Sequence, residues 1–166
     1  MLGLFFYYFC NRMIKQRQLL DCKDISITID RLCHQLIERH TDFLNTVLVG
    51  IQPRGTFLCN RIIKNLNKHN CNIKSGNIDI SFYRDDLRRR SEPIVPEAMD
   101  MNVVVEDKNI VLIDDVLYTG RSVRSAMDAL MNFGRPKSVE LLILINRRFS
   151  RDFPIQADYI GKNVDV

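Results

Sequence analysis

Two adjacent carboxylates, Asp114 and Asp115, lie in the stretch Ile110-Val-Leu-Ile-Asp-Asp-Val-Leu-Tyr-Thr-Gly-Arg-Ser122. The apolar, partly β-branched run before them predicts a buried parallel strand over residues 109–114. Ligands of open α/β sheets bind outside the carboxyl ends of the strands. Because consecutive side chains of an extended backbone point to opposite sides, at least one of the two carboxylates faces that crevice. It can accept hydrogen bonds from the diol of a sugar.

The residues directly after the acids, Tyr118-Thr-Gly-Arg-Ser122, combine a glycine that permits a tight turn, hydroxyl groups and the free N–H groups of a helix start. They form a cradle for a monophosphate, and with the diol acceptor they describe a ribose 5-phosphate site. Helix capping explains Asp115, Thr119 or Ser122 alone equally well, but it does not explain the joint pattern. The stretch lacks the glycine motifs of P-loop and dinucleotide sites, which argues against triphosphate hydrolysis and hydride transfer.

Strands and helices alternate around this site, which predicts a parallel α/β sheet built by right-handed crossovers. The first helix begins near Ile25, with Asp24 or Ser26 as its N-cap. Strands are predicted at 46–51, 77–83, 109–114 and 138–145, helices at 56–68 and 122–133 before Gly134, and a short edge strand at 157–160. The long charged excursion between Arg84 and Lys108 predicts a lid or a locally disordered loop, although its run Arg88-Arg-Arg90 is more typical of a solvated face.

The composition is that of one globular domain: 166 residues, 46% hydrophobic and 27% charged. A net charge of +4 favours the binding of phosphorylated small molecules, but it is smaller than the charge expected of a protein that coats nucleic acid. The five cysteines form no C-x-x-C pair, which argues against a disulfide scaffold or a zinc site. We interpret them as small core hydrophobes in a reducing cytoplasm.

The first residues, Met1-Leu-Gly-Leu-Phe-Phe-Tyr-Tyr-Phe-Cys10, are apolar but too few to span a membrane. They also lack the basic start and cleavage site of a secretory signal. Residues 1–12 are therefore either a first strand or docking segment, or the product of an upstream start codon before Met13. We favour the second interpretation, with a single domain over residues 13–166.

Four motifs of the chain are Asp114-Asp-Val-Leu-Tyr-Thr-Gly-Arg, Ser81-Phe-Tyr-Arg-Asp-Asp86, Phe133-Gly-Arg-Pro136 and Ala157-Asp-Tyr-Ile-Gly-Lys-Asn163. Together they resemble the PyrR family of type I phosphoribosyltransferases. This family pairs uracil phosphoribosyltransferase activity with RNA-mediated regulation of pyrimidine genes. The resemblance implies the type I fold, a central parallel sheet flanked by helices with a flexible lid loop. It also implies that relatives continue beyond Asn163 into another strand, which we expect this chain to lack.

The resemblance implies a role for each matching residue in binding phosphoribosyl pyrophosphate (PRPP). Asp114 and Asp115 bind the ribose hydroxyls, directly or through the cofactor Mg²⁺ that PRPP carries, and residues 119–122 surround the 5-phosphate. The PRPP-binding stretch is Ile110, Val111, Leu112, Ile113, Asp114, Asp115, Val116, Leu117, Tyr118, Thr119, Gly120, Arg121 and Ser122. Asp114, Asp115 and the lid residue Arg84 are the candidate catalytic residues, and Arg147 is a further substrate contact.

The turn Gln52-Pro-Arg-Gly55 matches the pyrophosphate loop of the family. Gly55 lets the backbone come close, and Arg54 can fork onto phosphate oxygens. Related enzymes place a cis peptide in this loop. Since proline cuts the cost of a cis bond from ~3 to below ~1 kcal/mol, we predict that the Gln52–Pro53 bond is cis.

Relatives bind RNA with a basic face that includes the first helix, and Arg31, His34, Arg39 and Arg151 match positions there. Asp30 and Gln156 depart from the basic or neutral residues at neighbouring positions, and a carboxylate repels phosphates.

The expected function is the transfer of a phosphoribosyl group from PRPP to uracil, which gives UMP and pyrophosphate, with regulation of pyrimidine operon transcription by attenuation. A non-catalytic, UMP-sensing RNA-binding regulator and a purine phosphoribosyltransferase are the alternatives. Expected partners are PRPP, uracil or UMP, and leader mRNA, with no DNA and no membrane. We also expect a homodimer or higher homo-oligomer.

Overall fold

A computed structural model of the chain describes residues 18–83 and 103–165. Its strands are β1 (Thr46–Ile51), β2 (Lys74–Ile78), β3 (Asn109–Leu117), β4 (Ser138–Arg148) and β5 (Tyr159–Asp165). Its α-helices are α1 (Cys22–His40), α2 (Arg54–Leu66) and α3 (Arg121–Leu130). All strand pairs are parallel, in the order β2-β1-β3-β4-β5. The described residues thus confirm the predicted parallel α/β sheet. The leader 1–12, the run Arg88-Arg-Arg90 and most of the predicted lid lie outside them.

The central strands are buried on both faces, as their unbroken apolar runs predict. Along β3, Ile110 and Leu112 belong to the core on the α3 side, whereas Val111 and Ile113 pack with α1 and α2. This alternation follows from the two-residue period of a strand. Two apolar layers therefore hold the strand that carries the acidic pair from both sides.

The first helix begins earlier than the sequence predicts. Its N-cap is Asp21, whose side chain accepts a hydrogen bond of 2.6 Å from the Asp24 backbone, while the Asp24 side chain accepts from the Asp21 N–H. Asp24 is therefore the N3 residue of a capping box, and the prediction of Asp24 or Ser26 as N-cap was wrong. The apolar period starts only at Ile25 because the first turn of the helix is exposed.

The predicted limits of the second strand, 77–83, were wrong. β2 begins at Lys74 and ends at Ile78, where its pairing with β1 stops. The Asp79 side chain accepts a hydrogen bond of 2.7 Å from the Ser81 N–H, and residues Ser81–Tyr83 form a 3-10 turn. An aspartate that bonds the backbone two residues ahead closes a turn rather than extending a strand.

The other elements differ from their predicted limits mainly at the carboxyl ends of strands. β3 continues through Leu117 and β4 through Arg148, so Asp115 lies inside β3 instead of after it, and Asp114 is not its last residue. The predicted helix 56–68 is α2 followed by the 3-10 turn Asn67–His69, and the predicted helix 122–133 is α3 followed by the 3-10 turn Met131–Phe133. The predicted edge strand is confirmed as β5, which starts two residues later and is longer.

A buried polar cluster at the amino ends of the strands fixes α1 to the sheet. The Glu140 side chain accepts a hydrogen bond of 2.6 Å from the Tyr159 hydroxyl and lies 3.1 Å from His40 Nε2. Arg39 pairs with the other oxygen of Glu140 at 2.9 Å. Burial, followed by the contact with Glu140, raises the pKa of the Tyr159 hydroxyl. The cluster satisfies polar groups that would otherwise be costly to bury.

Cysteine burial agrees only in part with the predicted core role. Cys33 and Cys59 are buried, and burial raises the pKa of the Cys33 thiol to about 11. Cys22 is exposed and Cys71 partly exposed, so the prediction was wrong for these two. Within the described ranges, no helix has the length and apolarity needed to cross a membrane.

Candidate functional site

The turn between β1 and α2 lies directly against β3. A Cβ atom added to Gly55 would lie 2.2 Å from the Ile113 carbonyl oxygen and 3.1 Å from Asp114 Cα. Only a glycine allows this approach, which brings the start of α2 to the acidic pair. The Gln52–Pro53 bond that precedes it is cis, as predicted.

The two carboxylates occupy different environments. Asp114 is 8% exposed, and its Oδ1 atom accepts a hydrogen bond of 2.9 Å from the Asp115 N–H. Burial is the main cause that raises its pKa to about 7, and the neighbouring Asp115 charge adds to the effect. The Asp115 side chain is 32% exposed, and its Oδ2 atom lies 3.9 Å from Arg54 Nη1. Near neutral pH the pair therefore consists of a partly protonated inner acid and an outer acid beside a cation.

The raised pKa of Asp114 predicts that the free energy of unfolding decreases as the pH rises from about 4 to about 7. In this window the folded protein retains a proton that the unfolded chain, with a pKa near 3.8, has released. Asp114→Asn removes this titration, so denaturant unfolding at pH about 5 and about 8 should show a flatter pH dependence.

Asp128→Asn is the matched control, because Asp128 lies on the exposed face of α3 in a pair with Arg124. It should retain the wild-type pH dependence. If Asp114→Asn also retained it, the raised pKa of Asp114 would be wrong.

The predicted phosphate cradle is the start of α3. Gly120 is its N-cap with φ +90, in the left-handed region that glycine adopts without cost, and it makes no side-chain cap bond. The first N–H groups of a helix have no intrahelical partner, so they are free to bind an anion. The Thr119 carbonyl accepts hydrogen bonds from the N–H groups of Asp152 and Phe153 at 3.0 and 3.3 Å. The loop after β4 therefore holds the Thr119–Gly120 turn in place through the Thr119 carbonyl.

Arg147 and Tyr118 form a stacked pair at the carboxyl ends of β4 and β3. The Arg147 guanidinium lies 3.9 Å from the centroid of the Tyr118 ring, which is within cation–π range. The two strands are paired up to Leu117 and Asn146, which brings this stack to the same sheet edge as the acids. A flat polar and aromatic surface is suited to a planar ligand.

Arg151 has contacts that the sequence analysis did not foresee. Its guanidinium donates to the carbonyl oxygens of Leu117, Tyr118 and Arg147 and to the Asn146 side chain, and burial lowers its pKa. It therefore ties the ends of β3 and β4 together. Asp152, which pairs with Arg121 at 2.9 Å, was missed as well. No local spacing signals these contacts, since they depend on how the loop after β4 folds back.

The remaining candidates fall into three groups. Ile110, Val111, Leu112 and Ile113 are fully buried, so they support the site from within the sheet. Arg31, His34 and Arg39 lie on α1, where Arg31 donates to the Ile160 and Gly161 carbonyls. Arg84 lies outside the described residues. In the two described ranges, no group of three or more His, Cys, Asp or Glu side chains could hold a metal.

Comparisons with known proteins identify the family of this chain. Residues 15–165 match the family model of the phosphoribosyl transferase domain. The chain is 47% identical to the bifunctional protein PyrR of Clostridioides difficile, over 92% of this chain and 86% of that protein. It is 43% identical to the bifunctional protein PyrR of Bacillus subtilis, over 92% and 85% of the two chains.

Among solved structures, a hypoxanthine phosphoribosyltransferase of Staphylococcus aureus has the same fold. Its TM-score is 0.71 at 23% identity, with 90% of this chain and 78% of that chain covered. The model match and the identity to the two relatives lead to the same assignment. The chain belongs to the phosphoribosyl transferase domain family and, within it, to the bifunctional PyrR proteins.

Proposed function

We propose that this protein transfers the phosphoribosyl group of PRPP to uracil, which gives UMP and pyrophosphate, and that it also regulates pyrimidine operon transcription by binding leader mRNA. The membership in the bifunctional PyrR proteins supports both halves. The observation that carries the catalytic half is the position of Asp115. It lies on the strand between the Arg54 loop and the Gly120 cradle, so a ribose bound there has anion sites on either side.

The arrangement supports substitution at the anomeric carbon without a covalent enzyme intermediate. The N1 atom of uracil forms a bond to C1 of the ribose, the C1–O bond to pyrophosphate breaks, and pyrophosphate leaves with the electron pair. The N1 proton passes to solvent. Positive charge develops on the ribose, and the Asp114–Asp115 pair stabilises that charge while it accepts hydrogen bonds from the hydroxyls. Arg54 and the Gly120 turn hold the two phosphate ends so that the reacting atoms stay aligned.

The donor set fits Mg²⁺ bound together with PRPP. Mg²⁺ is usually held by one or two carboxylates plus phosphate oxygens and waters, and two adjacent carboxylates are what the described part of this site provides. Asp114 and Asp115 would hold it, and the bound ion would neutralise charge on the pyrophosphate leaving group. The buried Asp114 has to lose its proton before it can serve as a ligand.

Residues outside the site support the rest of the proposal. Arg31, His34 and Arg39 place basic groups on one helix, as an RNA-binding face requires. A homodimer or higher oligomer would cover some of the apolar side chains that are more than half exposed, such as Ile27, Leu44 and Phe57. Arg147 on Tyr118 is the proposed contact for the base.

The catalytic half is tested by incubating the protein with PRPP, Mg²⁺ and labelled uracil, hypoxanthine or guanine, and by separating the nucleotides formed. We expect UMP and pyrophosphate from uracil, and no product from either purine. The reaction without PRPP is the control. Formation of a purine nucleotide would overturn the choice of base. If no base reacted, the protein would instead be a sensor that binds UMP without catalysis.

A further inference from the structure

The guanidinium of Arg151 bonds to several separate segments near the site. Each of its three nitrogens donates a hydrogen bond within the protein, and four of the five acceptors are backbone carbonyl oxygens. The acceptors are Leu117, Tyr118, Arg147 and Ile155 through their carbonyls and Asn146 through its side chain. A guanidinium presents its donors in a rigid plane, so it fixes the relative positions of the groups that it bonds.

Two of these carbonyls belong to the Tyr118–Arg147 stack. Pairing between β3 and β4 ends at Leu117 and Asn146, so the stack lies one residue beyond the last paired residues. The ladder therefore does not fix the backbones of the two stacked residues relative to each other. Arg151 does so instead, because its Nη1 atom donates to the Tyr118 carbonyl and, at 2.9 Å, to the Arg147 carbonyl. The 3.9 Å spacing within the stack thus depends on Arg151.

Asn146 extends the contacts of Arg151 to a third strand. Its side-chain oxygen accepts a hydrogen bond from Arg151 Nη2, and its amide nitrogen donates one of 2.7 Å to the side chain of Asn163 on β5. Asn146 is buried, where an unpaired amide would be costly. Since both ends of the amide are bonded, its orientation is fixed. The carboxyl ends of β3, β4 and β5 are therefore joined through one guanidinium.

Arg151 also belongs to the loop that supports the phosphate cradle. Its Nε atom donates a hydrogen bond of 3.3 Å to the Ile155 carbonyl, which closes this loop. The side chain of Ile155 lies against the Gly120 turn, since a Cβ atom added to Gly120 would lie 3.2 Å from Ile155 Cδ1. The cradle has further support of its own, because the Thr119 carbonyl accepts from two backbone N–H groups of the same loop. Arg151 therefore links a stack suited to a planar group with a turn suited to a phosphate.

We propose that Arg151 is a positioning residue for phosphoribosyl transfer, which holds the Tyr118–Arg147 stack in register with the Gly120 cradle. The base and the 5-phosphate of one nucleotide are then bound together. This inference rests on the catalytic half of the proposed function, and it adds a residue that acts through the backbone of the stack. The register matters because a displacement of about 1 Å between reacting groups can lower a rate about 10²-fold.

This role requires the shape of the arginine side chain more than its charge. A lysine in place of Arg151 keeps the positive charge, but its ammonium carries all three donors on a single atom. It cannot reach the acceptors that Nε, Nη1 and Nη2 bond in different directions. Arg151→Lys and Arg151→Gln should therefore have the same effect. If only Arg151→Gln had an effect, the charge would act on the ligand phosphate directly, and the positioning role would be wrong.

The test compares the binding of two ligands by isothermal titration calorimetry. UMP reaches both the stack and the cradle, whereas ribose 5-phosphate reaches the cradle and the acids but not the stack. In the wild-type protein we expect UMP to bind about tenfold tighter or more, because its base adds a stacking contact. Arg151→Lys should weaken UMP binding about tenfold and ribose 5-phosphate binding less than about twofold. Unchanged UMP binding would overturn the proposal. An equal loss for both ligands would also overturn it, since Arg151 would then support the whole site without setting the register.

Arg135→Lys is the matched control, because Arg135 is exposed and lies just before β4, at the opposite edge of the sheet. It should leave the affinity for both ligands unchanged. Asn146→Ala is a second variant, which keeps Arg151 and removes one of its acceptors. It should weaken UMP binding about threefold and leave ribose 5-phosphate binding unchanged. If Arg151→Lys did not fold, this variant would decide, and unchanged UMP binding in it would contradict the proposal.

The outcomes also separate this inference from the function on which it rests. Binding of UMP needs no turnover, so a wild-type protein that binds UMP without forming it from uracil would refute the catalytic function and still allow the test. A protein that forms UMP while Arg151→Lys keeps the wild-type affinity would leave the function standing and overturn the positioning role. If wild-type UMP bound no tighter than ribose 5-phosphate, the stack would not hold the base, and the inference would fail.

Discussion

Asp115→Asn is expected to lower kcat/KM for phosphoribosyl transfer by about 10²–10³-fold, with the melting temperature kept within about 2 °C of wild type. The outer carboxylate is one third exposed, and its pair with the exposed Arg54 is a long 3.9 Å contact. Such surface pairs contribute about 1 kcal/mol or less to stability. Asparagine preserves the shape of the side chain but removes the charge that stabilises the developing positive ribose.

Steady-state kinetics and thermal unfolding of the same preparations measure the two quantities. Asp128→Asn is the control, because Asp128 is more exposed than Asp115 and lies on α3 outside the site. It should change neither activity nor melting temperature. Unchanged kinetics in Asp115→Asn would refute the role of the outer carboxylate, and a large loss of stability would show that its role is structural.

Local patterns sufficed to predict most of the fold. The continuous apolar run of β1 was predicted with its observed limits, because a strand buried on both faces has no polar positions to blur its ends. The strand ends near the site were not predicted. β3 was predicted to end at Asp114, yet its pairing with β4 continues to Leu117. The ladder continues past the two acids at the carboxyl end of the sheet, where the Asp115 side chain is one third exposed.

In the candidate site, the features set by neighbouring residues were predicted and those set by long-range contacts were not. Residues contiguous in the chain, such as the acids and the Gly120 turn, were recognisable because their geometry follows from a strand that leads into a helix. The contacts of Arg151 with Leu117 and Tyr118 join segments 33 to 34 residues apart, and nothing in the local sequence specifies them. Long-range packing therefore decided the contacts of Arg151, which the sequence did not predict.

Gly55→Ala is expected to have the largest structural effect of any single methyl group added near the site. The new Cβ would lie 2.2 Å from the Ile113 carbonyl oxygen and 3.1 Å from Asp114 Cα. Both are backbone atoms in the middle of the sheet, so no flexible side chain can move aside. The start of α2 must therefore shift away from β3, which takes Arg54 away from Asp115. Overpacking of this kind costs about 1–3 kcal/mol or more.

Denaturant unfolding should show this loss of stability, and transferase activity should fall by at least about tenfold because the pyrophosphate loop moves with α2. Asn60→Ala, on the exposed side of the same helix, is the matched control and should change the free energy of unfolding by less than about 0.5 kcal/mol. Since alanine is the better helix former, propensity alone would make Gly55→Ala stabilising. A stable and active Gly55→Ala protein would therefore mean that α2 and β3 do not touch at this point, and the site geometry built on that contact would be wrong.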